Sequence, residues 1–428
     1  MPDRWTTNAF ELKGGLITNL SPLQHGLGAP GSARILRNFE PSQSGGYRRI
    51  EGYTKHDTNN IGNTGPIRGL MYYGGRVYAA QNDGLFRSSG SGWTEVTDNA
   101  TFSSTGINLN AGSDKVRFLK YNFSGTEKIM LVDGTNKPFT FDGTTFKKLT
   151  ALSSDFTGSD FVVNFKNHIF IANGNTVLFS APYEDEDFTS ASGGGIINVA
   201  DTITGLIVFR ERLIVFSESS INVLNGNSVG DFQLQPVSRD LGCVAEDTIQ
   251  EIGGDVIFLG PDGLRLFSAT DKIGDFSLAA VSKTIQVEIL DLISSSPNGF
   301  SSTVIREKSQ YRIFGFNATY QNDAAKGVAG TQLQDSIAWN DLRGFNAFVT
   351  FSEYDGFAER IYFGGKDGYI YQMEQGNTQD GTDIPATFAT PGKKHPRRSG
   401  GESWRPASDD AEQAYCTTPE ENATANSC

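Results

Sequence analysis

Apolar residues along this chain come in short runs, each followed by a polar turn and a second run. The stretch RLIVFSESSINVLNG, from Arg212 to Gly226, is representative: two apolar runs flank Ser217, Glu218, Ser219 and Ser220. It reads as a β-hairpin, and a lone hairpin is barely stable in water, so the pattern predicts packing against siblings. Siblings are present. Arg76 begins RVYAAQNDGLFRSSG, Lys128 begins KIMLVDGTNKPFTFDG and His168 begins HIFIANGNTVLFSA; Asp255 begins DVIFLGPDGLRLFSA and Arg360 begins RIYFGGKDGYIYQM. The turns NDG, PDG and KDG are strong hairpin signals, because glycine takes φ > 0 without steric penalty. A weaker seventh copy is YRIFGF, Tyr311 to Phe316, with SIAWN, Ser336 to Asn340, as its expected return strand.

The residues in the middle of the first strands are Val77, Ile129, Ile169, Leu213, Ile257, Ile313 and Ile361, separated by 52, 40, 44, 44, 56 and 48 positions. Four short strands plus turns fill such a period. A four-stranded repeat of roughly 40–50 residues is the blade of a β-propeller, whereas an immunoglobulin-like array needs about 100 residues per unit. The expected fold is therefore all-β, a β-propeller with six or seven four-stranded blades. Ring closure is expected from Arg68–Tyr73 and from the late strand Ile384–Thr390.

Three regions depart from the repeat. Residues 1–60 are turn-rich and read as an extended N-terminal arm with apolar anchors Ile17, Leu20, Leu23, Ile35 and Leu36, placed either on a neighbouring subunit or as a strand capping its own domain. The stretch from Phe276 to Ser296 is the one good helix: Val281, Ile285, Ile289, Leu292 and Ile293 form a stripe, with Ser282 as its cap. From Pro391 the chain turns polar, and residues 391–428 are expected to be disordered. The propeller is assigned to 61–390.

Composition fits this picture. Glycine is abundant at 49 residues, and 30 Phe with 14 Tyr supply the aromatic content of short strands. The formal charge of −13 argues against gripping DNA through phosphate neutralisation, although an acidic wall would let DNA slide past it. Three cysteines, Cys243, Cys416 and Cys428, cannot form a disulfide framework, so a reducing compartment is expected. The start MPDRWTTNAFELKGG has no secretory pattern, and no run approaches the length of a membrane helix.

Candidate chemistry is sparse. Of His25, His56, His168 and His395, none lies near a cysteine or in an HExxH pattern, so no zinc site is expected; His168 reads as a half-buried spacer. No GxSxG elbow or P-loop occurs. The stretch GGRVYAAQNDGLFRSSGSGWTEV only loosely matches the Asp-box hairpin of sialidase-like propellers and lacks the expected aspartate. The run APYEDEDF places Glu184, Asp185, Glu186 and Asp187 together; a solvated loop is favoured over a calcium site. Arg48 and Arg49 in the arm are either surface residues or contacts to a neighbour or a phosphate. KKHPRR, Lys393 to Arg398, is basic but uninformative. No catalytic residue, cofactor or metal is expected.

The arm LSPLQHGLGAPGSARILRNFEPSQSGGYRRIEGY and the segment SAPYEDEDFTSASGGGIINVADTITGLIVFRERLIVFSESSINVLNG resemble the tail nozzle and tail hub proteins of short-tailed phages, including the packaged DNA stabilisation type. Ile203 to Gly226 carries the best match, and SRDLGCVAEDTI, Ser238 to Ile249, continues it; the resemblance spans roughly residues 14 to 390. It implies a non-enzymatic structural virion protein, assembled in the host cytoplasm into a ring at the tail around the DNA channel. The implied partners are further copies of the chain in a homo-hexamer, neighbouring adaptor or portal-proximal proteins, passing DNA bound without sequence specificity, and tail fibres. The expected subunit contacts are Ile17, Leu20, Leu23, Ile35, Arg48 and Arg49. The alternative function is a receptor- or glycan-binding propeller on the virion, with Trp93 and Tyr183 stacking on sugars.

Overall fold

The computed structural model describes residues 14–21, 31–42, 45–62, 65–112, 114–150, 152, 156–273, 280–296, 299–317, 325–333 and 336–390. The polar tail, KKHPRR, Leu23, Cys416 and Cys428 lie outside them. The chain forms a seven-bladed β-propeller. Blade 1 runs through strands Ile67–Tyr73, Arg76–Gln81, Gly84–Ser88 and Trp93–Glu95; blade 2 spans Arg117–Lys148, blade 3 Phe161–Asn198 and blade 4 Ile203–Ser238, each an antiparallel meander of four strands. Blade 5 has three, Gln250–Ile252, Asp255–Gly260 and Gly263–Leu266, and its fourth position is reduced to a single bridge between Arg265 and Ala280. The innermost strands adjoin in chain order, and that of blade 7, Val349–Asp355, packs against Ile67–Tyr73 to close the ring.

The recurring hairpin is the second and third strand of each blade. In Arg212–Ser217, Leu213 and Val215 enter a core shared with blade 3, while Ile214 and Phe216 enter a core shared with blade 5. A strand covered on both faces reads as a continuous apolar run rather than an alternation, which is why the pattern repeats so visibly. Among the described residues there are seven core clusters, one at each blade–blade interface. Full burial of such side chains contributes about 1.5–3 kcal/mol each. One hairpin therefore rests on two neighbours, and the ring supplies both.

Closure differs from the expectation. Arg68–Tyr73 lies in the innermost strand of blade 1 and meets blade 7 by packing, not by pairing into it as a closing strand. The seam is completed by Tyr53–Lys55, which pairs antiparallel with Ile370–Met373 as the fourth strand of blade 7. The late strand Thr387–Ala389 instead pairs with Ile35–Arg37 from the arm, and this two-stranded unit extends blade 6 beyond Ile337–Arg343. The arm thus completes its own propeller. The return strand of Gln310–Gly315 is Lys326–Gln332, so SIAWN belongs to the fourth strand of blade 6 and not to its hairpin.

Of the expected helix, residues 276–279 lie outside the described residues, and Gln286–Ser294 is helical, with a 3-10 turn Lys283–Ile285 before it. Ile285, Ile289 and Leu292 are buried in the core between blades 5 and 6, with Val281 and Ile293 against it. Ser282 does not cap it: the Ser282 hydroxyl accepts from the Leu264 N–H at 3.0 Å, a donor left without a ladder partner by the reduced fourth strand of blade 5. The second strand of the blade 5 hairpin ends at Leu266, and Phe267–Ile273 is helical instead.

Candidate functional site

The axis of the ring is where a propeller brings all blades together. Here the innermost strands come close enough to require glycine: a Cβ on Gly69 would stand 2.4 Å from the Val116 carbonyl oxygen, and one on Gly205 2.3 Å from the Ile249 side chain. Both glycines sit at bulges in their strands. The axial cavity that remains is about 290 Å³, lined in its middle by Leu70, Phe118, Val162, Leu206, Val349 and Phe351.

Ion pairs stand near both ends. At one end Lys115 and Arg117, where the chain enters blade 2, face the loop before blade 5. Lys115 Nζ lies 2.9 Å from Asp247 Oδ2, and an Arg117 Nη2 reaches Glu246 Oε1 at 2.6 Å and Asp247 Oδ2 at 3.1 Å. Arg117 also donates to the Asp160 carbonyl at 3.2 Å and stacks over Phe161 at 4.7 Å. Burial alone would raise the Asp247 pKa, but Arg117 and Lys115 outweigh it and hold the carboxyl below its ordinary value. Burial opposes the Arg117 charge as well, and Asp247 and Glu246 overcome that and raise its pKa. Asp160 is pushed up by burial, against the Gly174 N–H, Arg117 and Asn173. A wider mouth of about 590 Å³ opens around these groups. Toward the other end Lys120 of blade 2 pairs with Glu353 of blade 7. The axis is thus lined by the protein's own charges and apolar side chains around a cavity of about 290 Å³.

A second charged cluster fastens the arm. Glu40 is buried; its carboxylate accepts from Arg48 Nε at 2.9 Å, Lys308 Nζ at 2.9 Å and Gln310 Nε2 at 3.1 Å, and Arg312 stands 3.4 Å away. Arg312, fully buried, lies 2.8 Å from Glu374 of blade 7, which also pairs with Lys308. Burial would raise the Glu40 pKa, but Lys308, Arg312 and Arg48 together bring it below its ordinary value.

Of the expected subunit-contact residues, Ile17, Leu20, Ile35, Arg48 and Arg49 are described, all in the arm. Arg48 is spent within the chain on Glu40, with Glu51 at 4.0 Å. Arg49 is half-buried on the same strand, Tyr47–Arg49. Ile35 is half-buried in the strand facing Ala389; Ile17 and Leu20 are half-buried in the first described segment, where the Ile17 N–H donates to the Ala33 carbonyl at 3.0 Å. Neither charged cluster is legible in the sequence: Glu40 and Arg312 are 272 positions apart, and no local motif joins them.

In the acidic run, Asp185 accepts from Tyr121 at 2.6 Å and Lys128 at 2.8 Å, Glu186 pairs with Lys147, and Asp187 accepts from the Thr189 N–H at 2.9 Å. The carboxylates diverge to separate partners. Among the described residues no group of three or more His, Cys, Asp or Glu is arranged to hold a metal ion. His168 is buried rather than half-buried, with Nδ1 2.6 Å from the Ser180 carbonyl inside a cage of Phe170, Phe179 and Phe232. Cys243 is buried, and burial pushes its thiol up to about 12, far from reactive.

No family model and no curated protein matches the sequence. Solved structures match in fold. The chain is similar to the extracellular domain of BT4673 from B. thetaiotaomicron at 10% identity and a TM-score of 0.47, covering 77% of this chain and 40% of that one. It is also similar to the computationally designed Ika8 protein, at 9% identity and a TM-score of 0.42 over 85% of this chain and 99% of that one. YCF48 bound to D1 peptide matches at 10% identity and a TM-score of 0.45, over 76% and 97%. These likenesses concern the fold alone.

Proposed function

We propose that this chain is a non-enzymatic structural subunit of a phage tail, assembling with copies of itself into a ring around the DNA channel. The observation that carries the reading is the resemblance of Ile203–Gly226 and of the arm to tail nozzle and hub proteins. The physical character of the chain supports it. Seven blades held by apolar interfaces make a rigid block, and the arm is locked into that block by strand pairing and a buried ionic cluster. The axial cavity of a single propeller is only about 290 Å³, too small for a DNA duplex, so a conduit for DNA has to lie between copies. A net charge of −13 gives the wall of such a conduit little affinity for phosphates. The chain acts in the virion, in contact with adaptor or portal-proximal proteins.

The test is the native mass of the purified full chain, together with imaging of assembled particles. A closed ring, expected as a hexamer, around the tail channel is the expected result. A monomer at all concentrations together with a location on side fibres would overturn the reading.

A further inference from the structure

The seam between blades 7 and 1, where the chain closes its ring, holds a separate cavity of about 200 Å³. It is lined by His56, Tyr72, Arg76, Asp355, Arg360 and Tyr362. Its chemistry runs against that of the molecule. In a chain of net charge −13, this cavity gathers two guanidiniums around one carboxylate, beside an imidazole that burial holds toward its neutral form. The Arg360–Asp355 pair is long, 3.4 Å, and both side chains are about two-fifths exposed at 39% and 40%. A pair of that kind holds its partners weakly. Arg76, exposed and lining the cavity, donates one Nη1 to the Ser88 carbonyl at 3.0 Å. The walls are aromatic: the His56 and Tyr362 rings meet edge-to-face at 5.3 Å, and the half-buried Trp93 lies 6.2 Å beyond His56.

We propose that this seam cavity is an oxyanion site that takes a carboxylate or phosphate group, free or carried on a single sugar ring, with Arg360 and Arg76 as the charged donors. A guanidinium presents paired N–H groups that match two oxygens of a carboxylate or phosphate. An incoming oxyanion takes over from Asp355 the donors that the long pair leaves poorly used. The cavity is smaller than a drug-sized pocket, so it admits a terminal group and not an extended ligand. It lies apart from the axial and arm clusters, and the proposal stands or falls independently of the ring assignment.

The experiment is titration calorimetry or ligand-observed NMR on the full chain with three probes: glucuronate, inorganic phosphate and glucose. Saturable binding of glucuronate is expected, with glucose at least about tenfold weaker, the usual scale for losing a charge-assisted contact. If phosphate binds as well, the site takes the free anion; if glucuronate alone binds, the anion is carried on a sugar. Both results support an oxyanion site. Arg360→Gln is expected to weaken binding by about tenfold or more and Arg360→Lys by less, while Lys147→Gln, remote from the seam, leaves it unchanged. Both arginines are exposed enough for the fold to tolerate their replacement, and an unchanged melting temperature checks this. The proposal is overturned if neither anion binds, if glucose binds as well as glucuronate, or if Arg76→Gln/Arg360→Gln keeps full affinity.

Discussion

Blade 4 and blade 7 are built from the same kind of strand and hold together in different ways. Blade 4 is one uninterrupted stretch, Ile203–Ser238, whose four strands follow each other through short turns. Blade 7 takes three strands from Val349–Met373 and its fourth, Tyr53–Lys55, from the far end of the chain. Both bury aromatic residues to the same depth. Phe216 of blade 4 lies 4.9 Å from Phe258 of blade 5; Tyr53 lies 4.9 Å from Phe363 and 5.2 Å from Phe345 and Tyr371. The difference teaches that the ring's stability is shared by all seven interfaces, while its topology depends on one three-residue strand.

Removing that strand is the largest expected break. A chain beginning at residue 57 loses the fourth strand of blade 7 and the strand that extends blade 6, leaving Ile370–Met373 as a bare edge. Loss of cooperative thermal unfolding and concentration-dependent association through the open edge are expected, readable by calorimetry and size-exclusion chromatography. A peptide of residues 31–56 added in trans is expected to restore the transition. Cooperative unfolding in the truncated chain alone would show that the seam is dispensable.

Next come paired aromatic truncations. Phe216→Ala and Tyr53→Ala are each expected to cost about 3–5 kcal/mol from lost burial and the residual cavity, measured by urea denaturation. Tyr53→Phe isolates the hydrogen bond from the Tyr53 hydroxyl to the Gly344 carbonyl, 2.8 Å long, and about 1–3 kcal/mol is expected for leaving that buried acceptor unsatisfied. A Tyr53→Ala cost well below that of Phe216→Ala would mean that the seam is already loose in the native protein.

The arm and axial clusters make stability depend on pH. Glu40 and Asp247 both have folded-state pKa values below their ordinary 4.5 and 3.8. Their contributions are therefore fully present above the ordinary carboxylate range and are lost as pH falls through the lowered values. Asp160, raised by burial, acts in the opposite sense and offsets part of the loss. Melting temperature is expected to be flat near neutrality and to fall in acid. Glu40→Ala is expected to cost up to about 3 kcal/mol at neutral pH, at the low end for a broken buried pair because Glu374 still serves Arg312 and Lys308. It should also flatten the acid limb; an acid limb identical to that of the wild type would place the titrating groups elsewhere.

This contrast also marks what the sequence made legible. The hairpins of blades 1–5 and 7 were readable because their second strands are covered on both faces and their turns carry glycine. The blade 6 return strand was misplaced because Lys326–Gln332, KGVAGTQ, is made of small residues and carries no apolar run. Tyr53–Lys55 and Ile35–Arg37 are too short to show a period, and their partners lie at the opposite end of the chain. Strand propensity over three residues carries almost no information, whereas an apolar run buried by two neighbouring blades carries a great deal. The charged clusters were hidden for a related reason: Lys115 and Arg117 meet Glu246 and Asp247 only after three blades, 2 to 4, have turned the chain around the axis.

The smallest expected effect bears on whether charge or backbone holds the seam. Lys55 Nζ pairs with Asp380 at 2.9 Å and stands 4.4 Å from the Tyr369 ring centre, and both charged side chains are about one-third exposed, at 32% each. The hydrogen bond to Asp380 raises the Lys55 pKa, burial works against it, and the Asp380 charge adds to the rise. An exposed pair of this kind is worth less than about 1 kcal/mol, and screening at 1 M salt shortens its reach to about 3 Å. Lys55→Ala is therefore expected to lower stability by less than about 1 kcal/mol in low salt and by nothing measurable in high salt, read from denaturation midpoints at both ionic strengths. The strand it sits on is expected to be needed for cooperative folding, and its charge is not. A Lys55→Ala cost as large as that of Tyr53→Ala would reverse that order and make the seam an electrostatic latch rather than a backbone ladder sealed by a tyrosine.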